Sequence, residues 1–275
     1  MARRIIVSLV LTLVLLFGAR QLSKRNPVDL AVEGSGMRIE HRTVTEHIRK
    51  GQPVIRARIE STKRIGAAVC YVVPPSDSVR ATPMFMIDPN VWEARLPRLQ
   101  KGQRLRYWIR VINSDEAILR CPEDPARAPT IKFKGQISKP VLTAHIAFMF
   151  GSFFFMVMSL FGAVRILRGQ EGKRNTVNMA RWVLILSFIG GWPLGFILNR
   201  QAFGPVWEGF PFGYDVTDNK TQLVFIFWLV SLLLAWGSFI GRGEEKDCLK
   251  AKPFAIAIVL SFLVSLALFI LPHSL

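Results

Sequence analysis

Two histidines near the carboxyl-terminal apolar segments have the side chains best suited to cofactor chemistry. His145 lies close to the start of the apolar run 141–164, and His273 follows the last such run, 254–271. Imidazole nitrogens ligate haem iron and several transition metals, and ionisable groups inside membrane segments are costly and often functional. The pair could bind haem b or a metal. The alternative is that His145 hydrogen-bonds to a neighbouring helix and that His273 is an ordinary polar terminal residue.

A second candidate is the aromatic and acidic stretch 203–221, FGPVWEGFPFGYDVTDNKT. Its three carboxylates, Glu208, Asp215 and Asp218, are the kind of oxygen ligands that divalent cations prefer. Their spacing does not match the regular calcium-binding loop. The alternative is that Thr217 or Asp218 caps the following helix while the aromatic side chains anchor the loop at a membrane interface.

Two cysteines and two histidines fall in the region 21–139. Cys70 and Cys121 predict a disulfide if this region is exported, because disulfides persist outside the cytoplasm; the alternative is two buried, unpaired thiols. His41 and His47, with glutamates beside them, could contribute to a metal site and would share one face of a strand. The alternative for these histidines is a solvated strand or loop, because metal sites normally need three or four convergent ligands.

Five uncharged apolar runs must position these residues. The chain has 275 residues and is 51% hydrophobic, and its uncharged runs are 5–19, 141–164, 182–198, 223–240 and 254–271. Crossing a hydrocarbon core of about 30 Å takes roughly 17–25 helical residues, so the last four runs predict a four-helix transmembrane bundle over 140–275. The first run follows two arginines and is typical of a signal sequence, for which we favour an uncleaved signal anchor over residues 1–20.

Lysine and arginine predict how the chain crosses the bilayer. They cluster in the loops between the second and third runs and between the fourth and fifth runs, and cytoplasmic loops are enriched in these residues. This predicts a bacterial inner-membrane protein with a cytoplasmic amino terminus and with residues 21–139, 203–221 and the carboxyl terminus exported. Much of the net charge of +17 then serves topology. Binding to nucleic acid is not expected, and the exported basic surface would meet an anionic lipid, an envelope polymer or an acidic protein. The alternative is a solvated basic face with no partner.

The region 21–139 has the alternation of β-strands. Ile55, Ala57 and Ile59 alternate with charged residues, and the apolar residues 105, 107, 109 and 111 alternate with three arginines and Trp108. Short strands separated by Pro, Gly, Asp and Ser predict an antiparallel β-sandwich.

The stretch VWEARLPRLQKGQRLRYWIRVIN resembles the late strands of immunoglobulin-like or fibronectin-type-III-like domains. In such domains a leucine-proline turn and a glycine, here Leu96, Pro97 and Gly102, precede a strand with an inward tyrosine, here Tyr107. The resemblance covers about residues 37–137. It implies a β-sandwich that binds or spaces other proteins and carries no chemistry of its own.

The expected fold class is therefore a membrane protein of α+β type. No complete catalytic motif, phosphate-binding glycine loop or zinc-spaced cysteine set is present. We expect a non-catalytic subunit or assembly factor of a membrane complex, surrounded by lipid and by other membrane or exported subunits. The alternative is a redox protein using His145. A small-solute transporter is a third alternative, although no span carries an acidic residue in its middle.

Overall fold

The structure is a computed structural model that describes residues 2–23, 26–48 and 51–271. It contains two compact units. The β-rich unit comprises residues 26–136 together with 201–204, and the helical unit comprises the other described residues. The N-terminal helix therefore belongs with the later helices. Residues 201–204, which are the last two residues of the helix Gly195–Ala202 and the two that follow it, belong to the β-rich unit.

The β-rich unit consists of two sheets. Sheet A has the strand order β1-β2-β4-β8-β7, and sheet B has the order β3-β11-β9-β5-β6, with β10 also paired to β9. The strands in the described part of the chain are β1 Asp29–Gly34, β2 Met37–Arg42, β3 Glu46–His47, β4 Val54–Ser61, β5 Ile65–Val72, β6 Arg80–Pro83, β7 Phe85–Asp88, β8 Val91–Arg95, β9 Arg104–Asn113, β10 Ile118–Cys121 and β11 Thr130–Phe133.

The core of the β-rich unit confirms the predicted alternation. Ile55, Ala57 and Ile59 of β4 are buried, and so are Leu105 and Tyr107 of β9. These side chains belong to one apolar cluster to which both sheets contribute, an arrangement compatible with a β-sandwich. The strand pairing is not purely antiparallel as predicted. The chain leaves sheet A after β2, and the short β3 then runs parallel to β11 in sheet B.

Four helices of the described residues are long and apolar enough to cross a membrane. They are Ala2–Leu22, Lys139–Leu167, Lys173–Ala202 and Ala251–Ile270. The third is interrupted by a π-helical segment that contains Pro193. The helices of the described chain are α1 Ala2–Ser23, α2 Lys139–Leu167, α3 Lys173–Ile189, the π-helical segment Gly190–Leu194, α4 Gly195–Ala202, α5 Val216–Leu233, α6 Trp236–Ile240 and α7 Ala251–Ile270.

The predicted span 223–240 differs from this arrangement. Its apolar residues are divided between α5, which ends at Leu233, and α6, which begins at Trp236. The first turns of α5 are polar, with the sequence VTDNKTQ, and they lower the mean hydropathy of that helix. By length and hydropathy α5 is therefore not among the four candidate spans. It still packs against α3 and α7 within the helical unit.

The helical unit turns apolar side chains outward and small hydroxyls inward. Val10, Phe188 and Leu260 are each at least half exposed, at 54%, 50% and 54%. The buried polar residues include a set of serines, Ser152, Ser159, Ser187, Ser231, Ser261 and Ser265. Lipid favours this distribution, because apolar surface costs nothing there while hydroxyls need partners within the protein.

Helix α1 packs against α2 and α7, and a polar side chain contributes to its contact with α2. Ser8 and Thr12 are fully buried, and the Ser8 hydroxyl donates to the Met158 sulfur at 3.0 Å. At the amino-terminal end of α1, Arg4 lies 3.5 Å from the Glu171 carboxylate, which also pairs with Arg165 at 2.9 Å. The first apolar run is therefore a packed element of the helical unit.

Candidate functional site

His145 makes the helix-to-helix hydrogen bond that was the alternative to cofactor binding. Its Nδ1 lies 2.9 Å from the Gly190 carbonyl, at the start of the π-helical segment. A carbonyl only accepts, so Nδ1 carries the proton and Nε2 is the unprotonated nitrogen of the neutral ring. His273, the predicted second ligand of the pair, lies outside the described residues.

The three carboxylates of the aromatic loop do not form the predicted cation site. Asp215 caps α5 by accepting from the backbone amides of Thr217 and Asp218. Asp218 is buried and accepts from the Asn199 side chain at 2.9 Å and from the Glu208 backbone amide at 2.7 Å. Two of the three carboxylates are thus used to hold the loop and the helix start. Within the described ranges no group of three or more His, Cys, Asp or Glu side chains is arranged to hold a metal.

The predicted Cys70–Cys121 disulfide is not formed, since both thiols are free. The two cysteines lie on β5 and β10, on opposite sides of β9, where Cys70 is opposite Trp108 and Cys121 is opposite Ile109. Neighbouring residues of a strand point to opposite faces of the sheet. Cys121 therefore faces the core and Cys70 faces outward, so their sulfurs cannot meet.

His41 belongs to a buried hydrogen-bonded chain. Its Nδ1 lies 2.7 Å from the Arg56 carbonyl, and its Nε2 lies 2.8 Å from the Tyr107 hydroxyl, which accepts from the Val44 amide at 2.8 Å. The ring must donate from Nδ1, so Tyr107 donates to Nε2. Burial lowers the pKa of His41, although its bond to the Arg56 carbonyl acts in the opposite direction. Burial likewise raises the pKa of Tyr107.

The inward position expected for Tyr107 is confirmed, but His41 and His47 do not share a face. His41 is on β2 in sheet A, while His47 is on β3 in sheet B and lies 3.1 Å from the Gly51 carbonyl through its Nε2. The chain changes sheets between the two histidines. They cannot act together as a pair of metal ligands in this arrangement.

Strand β7, at the end of sheet A, is the most exposed apolar segment of the β-rich unit. Phe85, Met86 and Ile87 are 68%, 59% and 47% exposed. The strand pairs with β8 on one side, and its other edge has no strand partner among the described residues. The exposed edge of a strand offers free amide and carbonyl groups to another chain. The outer edge of β7 therefore presents backbone amide and carbonyl groups that no described strand pairs with.

Sequence reasoning missed this surface because FMID has the composition of a buried strand. A usable signal was present in Pro83 and Pro89, which bracket the segment, since proline favours edge strands. The unit that carries the edge is basic: residues 26–136 contain 19 Lys and Arg against 12 Asp and Glu. A partner that carries acidic groups would therefore be attracted to it.

No protein-family model matches this chain, and no curated protein sequence matches it. Its function has to be argued from the geometry of its own residues.

Proposed function

We propose that this chain is a non-catalytic integral membrane protein that docks a partner protein through its β-rich unit, as a subunit or assembly factor of a membrane complex. The observation that supports this most directly is the exposed edge of β7. Natural sheet edges are protected by charge, proline or covering loops, and β7 is flanked by Pro83 and Pro89 but contains no lysine or arginine. Here Phe85 and Met86 lie on the edge with more than half of their surface exposed.

The partner that fits this edge is an extended protein segment that adds a strand to sheet A. Main-chain hydrogen bonds to β7 would supply affinity, and the exposed apolar side chains would supply area. Acidic residues beside that segment would complement the excess of Lys and Arg in the β-rich unit. The sequence resemblance to immunoglobulin-like and fibronectin-type-III-like domains supports the same interaction role.

The proposal places the β-rich unit on the exported side of a bacterial inner membrane and the amino terminus in the cytoplasm. The distribution of basic residues between the loops supports this orientation. The polar contacts of α1 with Met158 and Glu171 support an uncleaved anchor. Removal of α1 would expose the surfaces of the other helices that now bury Ser8 and Thr12. Mass analysis of the purified protein should find the residues of α1 still attached.

Site-specific photo-crosslinking in cells tests the docking role. A photoreactive amino acid at Phe85 should give a discrete crosslinked product, whereas the same amino acid at Ile118, which is 50% exposed on β10, should not. Met86→Lys should remove the product and should release the partner during purification in mild detergent. A bare monomer in several mild detergents, with no product at Phe85, would refute the proposal.

One observation favours a second candidate function, haem or metal binding at His145. Metal-ligating histidines usually donate their other ring nitrogen to a carbonyl or carboxylate, which fixes the ring, and His145 donates from Nδ1 to Gly190. An absorption spectrum and a metal measurement on the purified protein test this candidate. A Soret band or a bound metal that His145→Ala removes would support it, and a colourless, metal-free preparation of the wild type would eliminate it.

A further inference from the structure

The outer face of sheet B carries a concavity with a volume of about 590 Å³. Strands β5, β9 and β10 form its floor, and the β5–β6 connection and the turn at Pro125 form its walls. The lining is mostly apolar, with three arginines and a single carboxylate, Asp77; its residues are Cys70, Val72, Asp77, Val79, Arg106, Trp108, Arg110, Arg120, Pro125 and Ala126. Small-molecule sites have this size and this mixture of apolar walls with few polar groups.

Two of the arginines lie directly opposite each other. Arg110 of β9 and Arg120 of β10 are cross-strand partners in the antiparallel ladder. Side chains in such a pair start about 5 Å apart, and two like charges there repel each other. Burial raises the pKa of Cys70, and the same two charges oppose this rise as smaller effects. Both positive charges therefore belong to the lining of the concavity.

The arginines of the two sheets differ in their partners. On sheet A, Arg38 pairs with Glu40 at 2.7 Å, and Arg58 pairs with Glu60 at 3.0 Å. On sheet B, Arg106, Arg110 and Arg120 form no ion pair or side-chain hydrogen bond with any residue that the structure describes. Three unpaired guanidinium groups around one concavity leave their donors available to an anion.

Trp108 supplies a flat apolar floor beside the charged pair. It is only 8% exposed, and it packs with Cys70 and Val72 in a small cluster separate from the main core. Trp108 lies between Arg106 and Arg110 on the outward face of β9, since residues two apart on a strand share a face. A ligand with its anionic group at Arg110 and Arg120 would have its apolar part over this floor.

We propose that the concavity binds a small organic phosphate, with the phosphate held by Arg110 and Arg120 and its apolar group resting on Trp108. One guanidinium donates two parallel hydrogen bonds to a carboxylate, so a carboxylate needs only one arginine. A phosphate monoester has three free oxygens and a second negative charge, so it can bind two arginines. The bound dianion also relieves the repulsion within the arginine pair. This site lies on sheet B and is separate from the edge at β7.

Calorimetric titration of the purified full chain in mild detergent and phosphate-free buffer tests the proposal. Phenyl phosphate should bind more tightly than inorganic phosphate, which lacks the apolar group, and more tightly than benzoate, which lacks the second charge. Arg120→Gln should weaken phenyl phosphate binding by about tenfold or more, since it removes charge-assisted hydrogen bonds. Arg58→Gln, which removes an exposed arginine from sheet A, should leave binding unchanged.

A thermal-unfolding measurement separates loss of the site from misfolding. Without ligand, Arg120→Gln should unfold at the wild-type temperature or above it, because the substitution removes repulsion. Arg110→Gln should reproduce its loss of binding. Equal binding of phenyl phosphate by wild type and both variants would overturn the proposal, as would benzoate binding as tightly as phenyl phosphate. A titration with a short-chain phosphatidic acid distinguishes the two sources of such a phosphate. If the lipid binds and phenyl phosphate does not, the ligand is a lipid head group. If phenyl phosphate binds, the ligand is a soluble phosphate ester.

Discussion

The β-rich unit and the helical unit distribute polar and apolar side chains in opposite ways. In the β-rich unit the apolar residues of β4 and β9 are buried and the arginines between them are mostly exposed. In the helical unit large apolar residues face outward and serines are buried between helices. This contrast is the one expected of a chain with water around one unit and lipid around the other. The difference supports membrane insertion more strongly than hydropathy alone.

The buried polar groups of the two units are also stabilised differently. The β-rich unit buries the neutral chain of Val44, Tyr107 and His41, which no ion pair accompanies. The helical unit buries a charged pair, in which Lys173 donates to Asp247 and to the Leu249 carbonyl. Asp247 also accepts from the backbone amide and the hydroxyl of Ser238. Substitutions in each chain of contacts test whether this contrast has energetic consequences.

The largest effect should come from Lys173→Met in the helical unit. The side chains of Lys173 and Asp247 are 3% and 1% exposed, so the variant leaves a buried carboxylate without its cation. Removal of one partner from a buried pair typically costs about 3–5 kcal/mol. Unfolding of the full chain in mild detergent by added denaturant measures this loss.

Arg174→Met is the matched control, because Arg174 is the next residue of the same helix and is exposed. It should change the free energy of unfolding little. Adding Asp247→Asn to Lys173→Met should recover part of the loss, since asparagine carries no charge. A double variant as unstable as the single one would show that packing of Lys173, and not the unpaired charge, dominates.

Tyr107→Phe in the β-rich unit should have the next largest effect. It removes the acceptor of the Val44 amide and the donor to His41 Nε2, and each buried group left without a partner costs about 1–3 kcal/mol. Pulse proteolysis of the full chain across a urea series measures the stability of this unit. Tyr71→Phe is the control: Tyr71 lies opposite Tyr107 on β5, and its hydroxyl forms no hydrogen bond with the described residues. An equal effect of both substitutions would remove the role assigned to the buried chain.

Acid should destabilise the β-rich unit through His41. Burial lowers the pKa of His41 in the folded protein below its ordinary value of 6.5, so the folded state favours the neutral ring. This stabilisation is fully present above about pH 6.5 and is lost as the pH falls toward the lower folded pKa. The urea concentration at which half of the protein is unfolded should therefore decrease as the pH is lowered from 7.5 to 5. In His41→Gln the fall should be smaller; an unchanged pH dependence would exclude His41 as its source.

The smallest effect should come from the serines between α5 and α7. Ser261 shares a hydrogen bond of 2.9 Å with Ser231 and donates to the Phe227 carbonyl at 3.1 Å. Hydrogen bonds between membrane helices contribute about 0.6 kcal/mol each on average, so Ser261→Ala, which removes both, should cost about 1 kcal/mol in detergent unfolding. Ser159→Ala should cost nothing, because the buried Ser159 hydroxyl has no partner in the described part of the chain. A loss as large as that from Lys173→Met would contradict this ranking.

Sequence patterns predicted the elements of both units better than their sites. The alternation from Ile55 to Ile59 lies within β4, which begins one residue earlier and ends two residues later, because the burial of one sheet face imposes a period of two. The apolar run 141–164 lies within α2 for the same kind of reason, since lipid requires an uninterrupted apolar helix. Each of these signals is local, and one segment of sequence contains all of it.

The sites depended on contacts between distant segments. Asp218 holds the aromatic loop because the fold brings the Asn199 side chain and the Glu208 amide, 19 and 10 residues earlier in the chain, within hydrogen-bond distance of it. Cys70 and Cys121 were both placed correctly in strands, yet the register of β5 and β10 against β9 turned them to opposite faces. Register is not visible in the spacing of two residues, so the disulfide prediction failed.

By itself the sequence determined which segments are apolar helices, which are half-buried strands, and that Tyr107 points inward. Only the tertiary structure decided that Arg110 and Arg120 face each other, that Lys173 meets Asp247 and that β7 lies at an edge. The reason is physical. Periodic burial is imposed on each element by its solvent, whereas convergence of side chains is set by strand order, register and helix packing over the whole chain.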